Sequence, residues 1–422
     1  MNNPLAPKFT SGINALWRNA SWLLIVFAFF LFIRKTWSNV PIAIMALVGL
    51  VVLVRHYRLL LKDTGFKTWV WVFGLLWLPM VIASLDAVHW KASWTSVASH
   101  FALFFAGLYV VYVLRDRSRQ EVFFKAMVCL VALWSVDALI QFVVGYNLFG
   151  FPYAHGRLMG MFHPTQSLLG LVVATLSPLL FETVRRSAPS QPWLWIFPPI
   201  LVLVVIYSGS RTAWLMLLTA LALYVLLFLF LHGSRILKHL SLALAALVLL
   251  AGLAYVSSPS VRDYAQATAK FSKFDYKSVD EATAYRYSLW ITALNMGSSH
   301  WINGVGPRGF RHAYSEHTHE RDFFNKTGST HPHQTGLEVF AETGMIGVVG
   351  YLILLVLVLK NYWRGIHDSG SWALPWLMCA LVAMNPLNVH MALYGNYWSS
   401  LTFLILAVAV ACLPTRRGHT GV

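Results

Sequence analysis

The amino-acid sequence predicts an all-α integral membrane protein, and three observations carry that expectation. Hydrophobic residues make up 58% of the 422 residues and charged residues only 11%, giving a mean hydropathy of +0.61 that water-soluble domains do not reach. The apolar residues fall into runs of roughly 15 to 23 residues, long enough to span a bilayer once their polar-edged ends are included. The basic residues sit between those runs and crowd one side of them.

Taken in order, the runs occupy about residues 17–33, 40–54, 68–85, 98–114, 122–144, 166–183, 193–208, 212–231, 240–256, 335–359, 372–388 and 396–412. About 12 transmembrane helices are therefore expected, with both termini on one side. If that side is the cytoplasm, the short inner segments hold 18 Lys and Arg against five in the short outer ones, as the positive-inside rule requires. The first run lacks a small-residue cleavage site and further spans follow it, so no cleavable signal peptide is expected. Cys129, Cys379 and Cys412 all lie inside apolar runs, which speaks against a disulfide framework or a Cys-rich zinc site. The net charge of +16 is accounted for by topology, and no nucleic-acid partner is expected.

Three units follow: residues 1–256 with the first nine helices, 257–334 as one large helical outer loop, and 335–422 with the last three helices and an inner tail. Within the loop, helices are expected over PSVRDYAQATAKFSKFD and over DEATAYRYSLWITALNM, the latter with a partly apolar stripe of Tyr287, Leu289, Trp290 and Leu294. A Gly-rich turn, Asn303 to Gly309, and a His-rich polar run complete it.

Candidate chemistry lies on the outer side. Arg157 in GRLMGMFHP, Arg211 in YSGSRTAWL and Arg286 in AYRYSLW stand close to hydrocarbon, where a guanidinium is costly unless it meets an anion that its planar fork suits. Snorkelling is the plainer alternative, above all for Arg157, and Arg286 could pair with Asp280 or Glu281 on its own helix, although i, i+5 is poor spacing for the latter. His331 and His333 flank Pro332 at the start of the tenth span; an imidazole there is a general-base candidate or a structural cap. Glu338 and Glu342 share one face of that span, and a polar contact with neighbouring helices is the favoured role for Glu338. HTHERD, His317 to Asp322, places two histidines and two carboxylates within six residues, a weak metal pattern with Arg321 inside it. Asp137, alone in the fifth run, raises a proton or ion pathway. A solute exporter or lipid flippase would use it, but the chain lacks matched polar residues in its two halves.

The sequence resembles the O-antigen ligase and polymerase superfamily of bacterial envelope enzymes. His333-Gln334, nine residues, then Gly344-Met-Ile-Gly347 fits the ligase pattern H-[NSQ]-x9-G-x-x-G. GRLMGMFHP, SGSR at Arg211, R-x-x-x-W from Arg286 to Trp290 and NGVGPRGF at 303–310 agree in order, over about residues 155 to 360. The resemblance implies a glycosyltransferase C-like membrane enzyme of the inner membrane with a periplasmic active site. It would move a preassembled glycan from undecaprenyl diphosphate to a sugar hydroxyl of lipid A core, as an O-antigen ligase in lipopolysaccharide biosynthesis. It also implies His333 as catalytic residue and Arg211 and Arg286, with Arg157, as substrate-binding residues. No metal or other cofactor is expected, and inversion is expected at the anomeric carbon. O-antigen polymerases and protein O-glycosylating ligases share the layout, and His331 lies outside the family pattern.

Overall fold

The structure, a computed structural model, describes residues 20–33, 39–153, 156–162, 168–233, 237–269, 275–367, 371–389 and 391–414. His163 and Pro164 of the GRLMGMFHP stretch, and the basic pair Arg416 and Arg417, lie outside the described residues. The first nine helical segments are α1 (Ala20–Ile33), α2 (Asn39–Leu60), α3 (Thr64–Ala83), α4 (Trp90–Val113), α5 (Arg117–Val144), α6 (Leu169–Ser187), α7 (Phe197–Tyr207, led in by a 3₁₀ turn, Pro192–Ile196), α8 (Arg211–His232) and α9 (Leu237–Ser257). The expected outer segment supplies α10 (Pro259–Ala269), α11 (Tyr276–Ala282), α12 (Arg286–Ser299) and α13 (Phe310–His317). The chain closes with α14 (Thr335–Ile366), α15 (Ala373–Ala383) and α16 (Asn396–Cys412).

Each of the twelve apolar runs thus coincides with a helix. By length and composition, however, six of the described helices can cross a membrane: α2, α3, α4, α5, α8 and α14. The second half of α9 and α10 form a further apolar pair, bent by 106°. The shortfall from twelve has physical causes. Leu169–Ser187 ends in Glu182, Arg185 and Arg186, and α15 has 11 residues, about 16 Å at the helical rise and half the hydrocarbon thickness.

Apolar side chains such as Leu47, Val54, Val143, Val248 and Val356 are exposed on α2, α5, α9 and α14, as lipid-facing surfaces require. By contrast α15 and α16 are buried nearly all round, the behaviour of central helices in a bundle. Trp69 of α3, Trp134 of α5, Trp376 of α15 and Trp398 of α16 are buried in the bundle. At one end Asp63 pairs with Arg115 (2.5 Å), and the buried Glu182 carboxylate accepts from both Arg185 (2.7 Å) and Arg186 (2.6 Å).

The irregular segments that carry the candidate residues gather at the opposite end. Val88 N–H donates to the Val305 carbonyl (3.1 Å), Ser93 Oγ to Pro307 (3.0 Å) and Gln334 Nε2 to Pro386 (2.9 Å). A separate small core, built from Leu289, Ala293, Met296, Phe310 and Tyr314, docks the outer segment onto Ala341 of α14. Asp322 is its polar centre, accepting from Tyr314 (2.6 Å), Thr318 (2.7 Å) and Thr292 (3.1 Å) and from the Phe324 N–H (2.7 Å).

Two expectations for this segment need correction. DEATAYRYSLWITALNM is two helices, broken where Ala284 and Tyr285 take positive φ of 54° and 62°. The Asp280 carboxylate drives the break by accepting from Ser288 N–H (2.9 Å) and Ser288 Oγ (2.8 Å), while Tyr285 stacks on Phe323. Leu294 of the expected stripe is exposed; the buried face is Leu289, Thr292, Ala293 and Met296.

The first glycine of GMIG, Gly344, separates α14 into two parts. Gly344 has φ 60° and ψ −160°, a region that only glycine occupies cheaply. A side chain there would collide with the backbone of Ile302 and Asn303, whose neighbours Trp301 and Ile302 accept from Met345 (2.8 Å) and Ile346 (3.1 Å). Gly344→Ala is therefore expected to lose at least about 1–3 kcal/mol from backbone strain alone, read as a lowered thermal midpoint of the detergent-purified protein; an unchanged midpoint would contradict this account.

Candidate active site

Two of the three arginines singled out in the sequence, Arg157 and Arg211, meet over Tyr264 of α10, and the third, Arg286, lies within reach of the Arg211 charge. Arg157 lies over the Tyr264 ring at 5.3 Å and Arg211 at 5.8 Å from its centroid, both within cation–π range. Gly209, with φ 64°, turns the chain from α7 into α8, and a side chain at that position would strike the Arg157 stem. The SGSR turn is therefore shaped to receive Arg157. Ser210 caps α8 by accepting from Ala213 N–H (3.3 Å), and Arg211 Nη1 donates to the Ala282 carbonyl at the end of α11.

Arg286, first residue of α12, is held down to about pH 10 in its ionisation, first by burial and then by the Arg211 charge. Its potential partner Asp280 is committed to Ser288. Among the described residues neither Arg211 nor Arg286 takes part in a salt bridge. Like charges brought this close repel, and an anionic ligand relieves both that repulsion and the desolvation.

His333 stands at the same end of the molecule. Gly297 of α12 packs on Phe340 of α14, and further along Trp301 bonds to Met345, so the two helices run side by side in the same direction. Followed backwards, one leads to Arg286 and the other to His333. The Gln334 side chain caps α14, accepting from Leu337 N–H while donating to the Pro386 carbonyl (2.9 Å). The [NSQ] position of the signature is thus an N-cap that fixes the residue before it. His333 itself has φ 53°, an unusual conformation for a non-glycine residue, and its ring lies 3.9 Å from that of His331. His331 is therefore the immediate ring neighbour of His333, the two rings tilted by 38°.

A cavity of about 930 Å³ opens beside His333. Its cationic lining is Lys91, Arg308 and Arg311, which the sequence reading did not single out; Arg157, Arg211 and Arg286 are not among its lining residues. The two groups are neighbours through the start of α6. Leu168 lines the cavity, and Gly170, two residues on, packs directly against Ser208 of the SGSR turn. Two stacked histidines, His89 and His312, also line the cavity, with rings 3.9 Å apart. The pKa of His312 is lowered, first by burial and then by His89, Arg311 and Arg308.

Glu338 and Glu342 act on backbone. Glu338 accepts from Leu393 (2.7 Å) and Tyr394 (3.2 Å) N–H groups, and Glu342 from those of Arg308 (2.7 Å) and Phe310 (3.4 Å). The loops they grip, around 308 and 391–395, form much of the cavity wall. Asp137 has a similar role: it accepts from Leu148 N–H (2.8 Å), one helical turn from Gln141, which accepts from Met159 (3.0 Å) and Gly160 (2.9 Å). Together they hold Leu148, Met159 and Gly160, the last two close after Arg157 in the chain. In HTHERD, Asp322 is occupied within the outer core as described and His317 Nδ1 lies 2.9 Å from the Ala313 carbonyl oxygen. Among the described residues no group of three or more His, Cys, Asp or Glu could hold a metal.

Residues 199–352 match the O-antigen ligase family model. The matched stretch contains Arg211, Arg286, the Gly-rich turn, His333 and Gly344, so it covers the motifs on which the resemblance rests, while Arg157 and α1–α6 fall outside it. No curated protein matches the chain. Of the residues missed by sequence reasoning, Arg308 carried a faint signal, as a bulky residue inside a glycine-rich turn. Tyr264 carried none, because only the packing of α10 brings it to the arginines. Tyr264→Phe is expected to retain activity, whereas Tyr264→Ala removes a cation–π contact from two arginines and should lower the transfer rate about tenfold. Equal rates for the two variants in a glycan-transfer assay would remove Tyr264 from the site.

Proposed function

We propose that the protein transfers an O-antigen glycan from undecaprenyl diphosphate to a sugar hydroxyl of lipid A core, on the periplasmic face of the bacterial inner membrane. The observation that carries this reading is the meeting of Arg157 and Arg211 over Tyr264, with Arg286 close enough to Arg211 to feel its charge, at the end of the bundle where His333 lines a large cavity. The family match to O-antigen ligases over residues 199–352 supports the reaction class. With the twelve passages expected from the sequence, this end lies outside when the basic short segments face the cytoplasm. A site on that side has no access to cytosolic nucleotide sugars and draws on a lipid-held donor.

In the proposed reaction His333 takes the proton from the acceptor hydroxyl as its oxygen attacks the anomeric carbon. The bond from that carbon to the diphosphate oxygen breaks, and undecaprenyl diphosphate leaves with an additional negative charge. Arg211 and Arg286 clamp the diphosphate bidentately, with Arg157 beside them, so that fixed positive charge stabilises the leaving group without a divalent cation. The His333 imidazolium then releases its proton to water. A single displacement inverts the anomeric centre.

His333→Ala is expected to lower transfer by about 10²–10⁴-fold with unchanged membrane insertion, measured with purified protein, lipid-linked donor and core lipid. Arg211→Lys keeps the charge but loses the fork, and is expected to lose about tenfold in kcat/KM. Normal ligation by the His333 variant, a retained anomeric configuration, or activity abolished by chelator and restored by Mg²⁺ would overturn the scheme. Product formed only when a second lipid-linked glycan replaces core lipid as acceptor would reassign the protein as a polymerase.

A further inference from the structure

The protein has two cationic clusters at its outer end, and the reaction just proposed uses one. The second consists of Arg308, Arg311 and Lys91 on the wall of the His333 cavity, and no Asp or Glu lines that cavity among the described residues. Neither arginine takes part in a salt bridge among the described residues. The Arg311 Nε is buried and has no hydrogen-bond partner among them. The Arg308 guanidinium lies along Gly395, at the start of α16, with Nη1 only 3.3 Å from where a Cβ would stand.

The backbone at Arg308 strengthens the case. Its φ is 64°, in a turn with glycines at 304, 306 and 309, where a fourth glycine would cost least. An arginine stands there instead, held by the bond from its own N–H to the buried Glu342 carboxylate. A half-buried side chain kept at a sparsely populated backbone conformation, whose charge is felt by the buried Glu338 and Glu342 but which forms no salt bridge with them and faces a cavity free of carboxylates among the described residues, is the arrangement of a binding group rather than of a structural one.

We propose that Arg308 and Arg311, assisted by Lys91, bind an anionic substituent, phosphate or carboxylate, carried by the sugars of the acceptor. The inference rests on the ligase reading above. The acceptor hydroxyl must reach His333, so the groups that share the cavity with His333 meet the rest of the acceptor. The donor diphosphate has its own arginines across the start of α6. Each substrate is then gripped by a separate set of charges, and the acceptor site selects glycans that are negatively charged near the accepting hydroxyl.

The test uses the full-length protein in nanodiscs, with lipid A core as acceptor before and after phosphatase removal of its core phosphates. The double variant Arg308→Gln/Arg311→Gln is expected to raise the KM for the phosphorylated acceptor about tenfold or more and to leave the donor KM unchanged. The dephosphorylated acceptor should bind wild type and variant equally weakly. Arg308→Lys/Arg311→Lys, which keeps the charges, should recover part of the loss, and thermal midpoints of all variants establish that they are folded. A rise in the donor KM would overturn the proposal in favour of a second diphosphate site, and an equal loss with both acceptors would remove the anion from it. Donor-free binding of the two core lipids separates this idea from the function itself. Phosphate-dependent binding lost in the double variant supports the subsite even where no transfer occurs, whereas transfer without phosphate-dependent binding sinks the subsite alone.

Discussion

Two buried carboxylates, one helical turn apart on α14, hold the site's end of the molecule in shape. Glu338 and Glu342 are nearly inaccessible, and each spends its oxygens on the backbone N–H groups of a loop. Each side of this arrangement is expensive alone. A buried carboxylate costs several kcal/mol when it lacks hydrogen bonds, and irregular backbone at membrane depth is tolerated only where its polar groups are satisfied by protein or water. Paired, each removes the other's penalty, and the result is a fixed cavity wall beside His333.

The break at Gly344 belongs to the same solution. The 301–304 segment enters the interrupted helix and bonds to Met345 and Ile346, which places Arg308 within reach of Glu342. The ligase signature therefore reads as a set of mechanical parts. His333 supplies the imidazole, Gln334 caps the helix and anchors 386, and Gly344 admits the segment that carries the Gly-rich turn. Nine residues between Gln334 and Gly344 set how far below the imidazole the break falls.

The helical segments were legible in the sequence, because apolar length reports directly on the bilayer. The functional grouping was legible only in part. Arg157, Arg211 and Arg286 do converge, but His333 shares its cavity with Arg308 and Arg311. In the sequence Arg311 looks like an ordinary polar residue of a solvated loop, and Arg308 stands out only by its place in a glycine-rich turn. Nothing local announces the helix break at Ala284 and Tyr285 either, since neither glycine nor proline stands there and the determinant is Asp280 reaching forward to Ser288. Asp137 shows a further use of an acid that the sequence does not announce. An acid in an apolar run suggests an ion pathway, yet its oxygen serves an N–H group on a loop eleven residues away.

The bend between α9 and α10 bears on how a lipid-held donor meets the arginines. The axes differ by 106°, so with α9 along the membrane normal α10 lies close to the membrane plane. Ser258 and Pro259 sit at the corner, and proline at the first helical position gives up no hydrogen bond. Tyr264 stands midway along α10 with Arg157 and Arg211 over its ring. On the proposed reading this puts the guanidinium groups at headgroup depth, where the diphosphate of a polyprenyl lipid lies while its chain remains in hydrocarbon. The donor then reaches the site without leaving the bilayer, and the cavity beside His333 stays open to an acceptor arriving from the other side of α6.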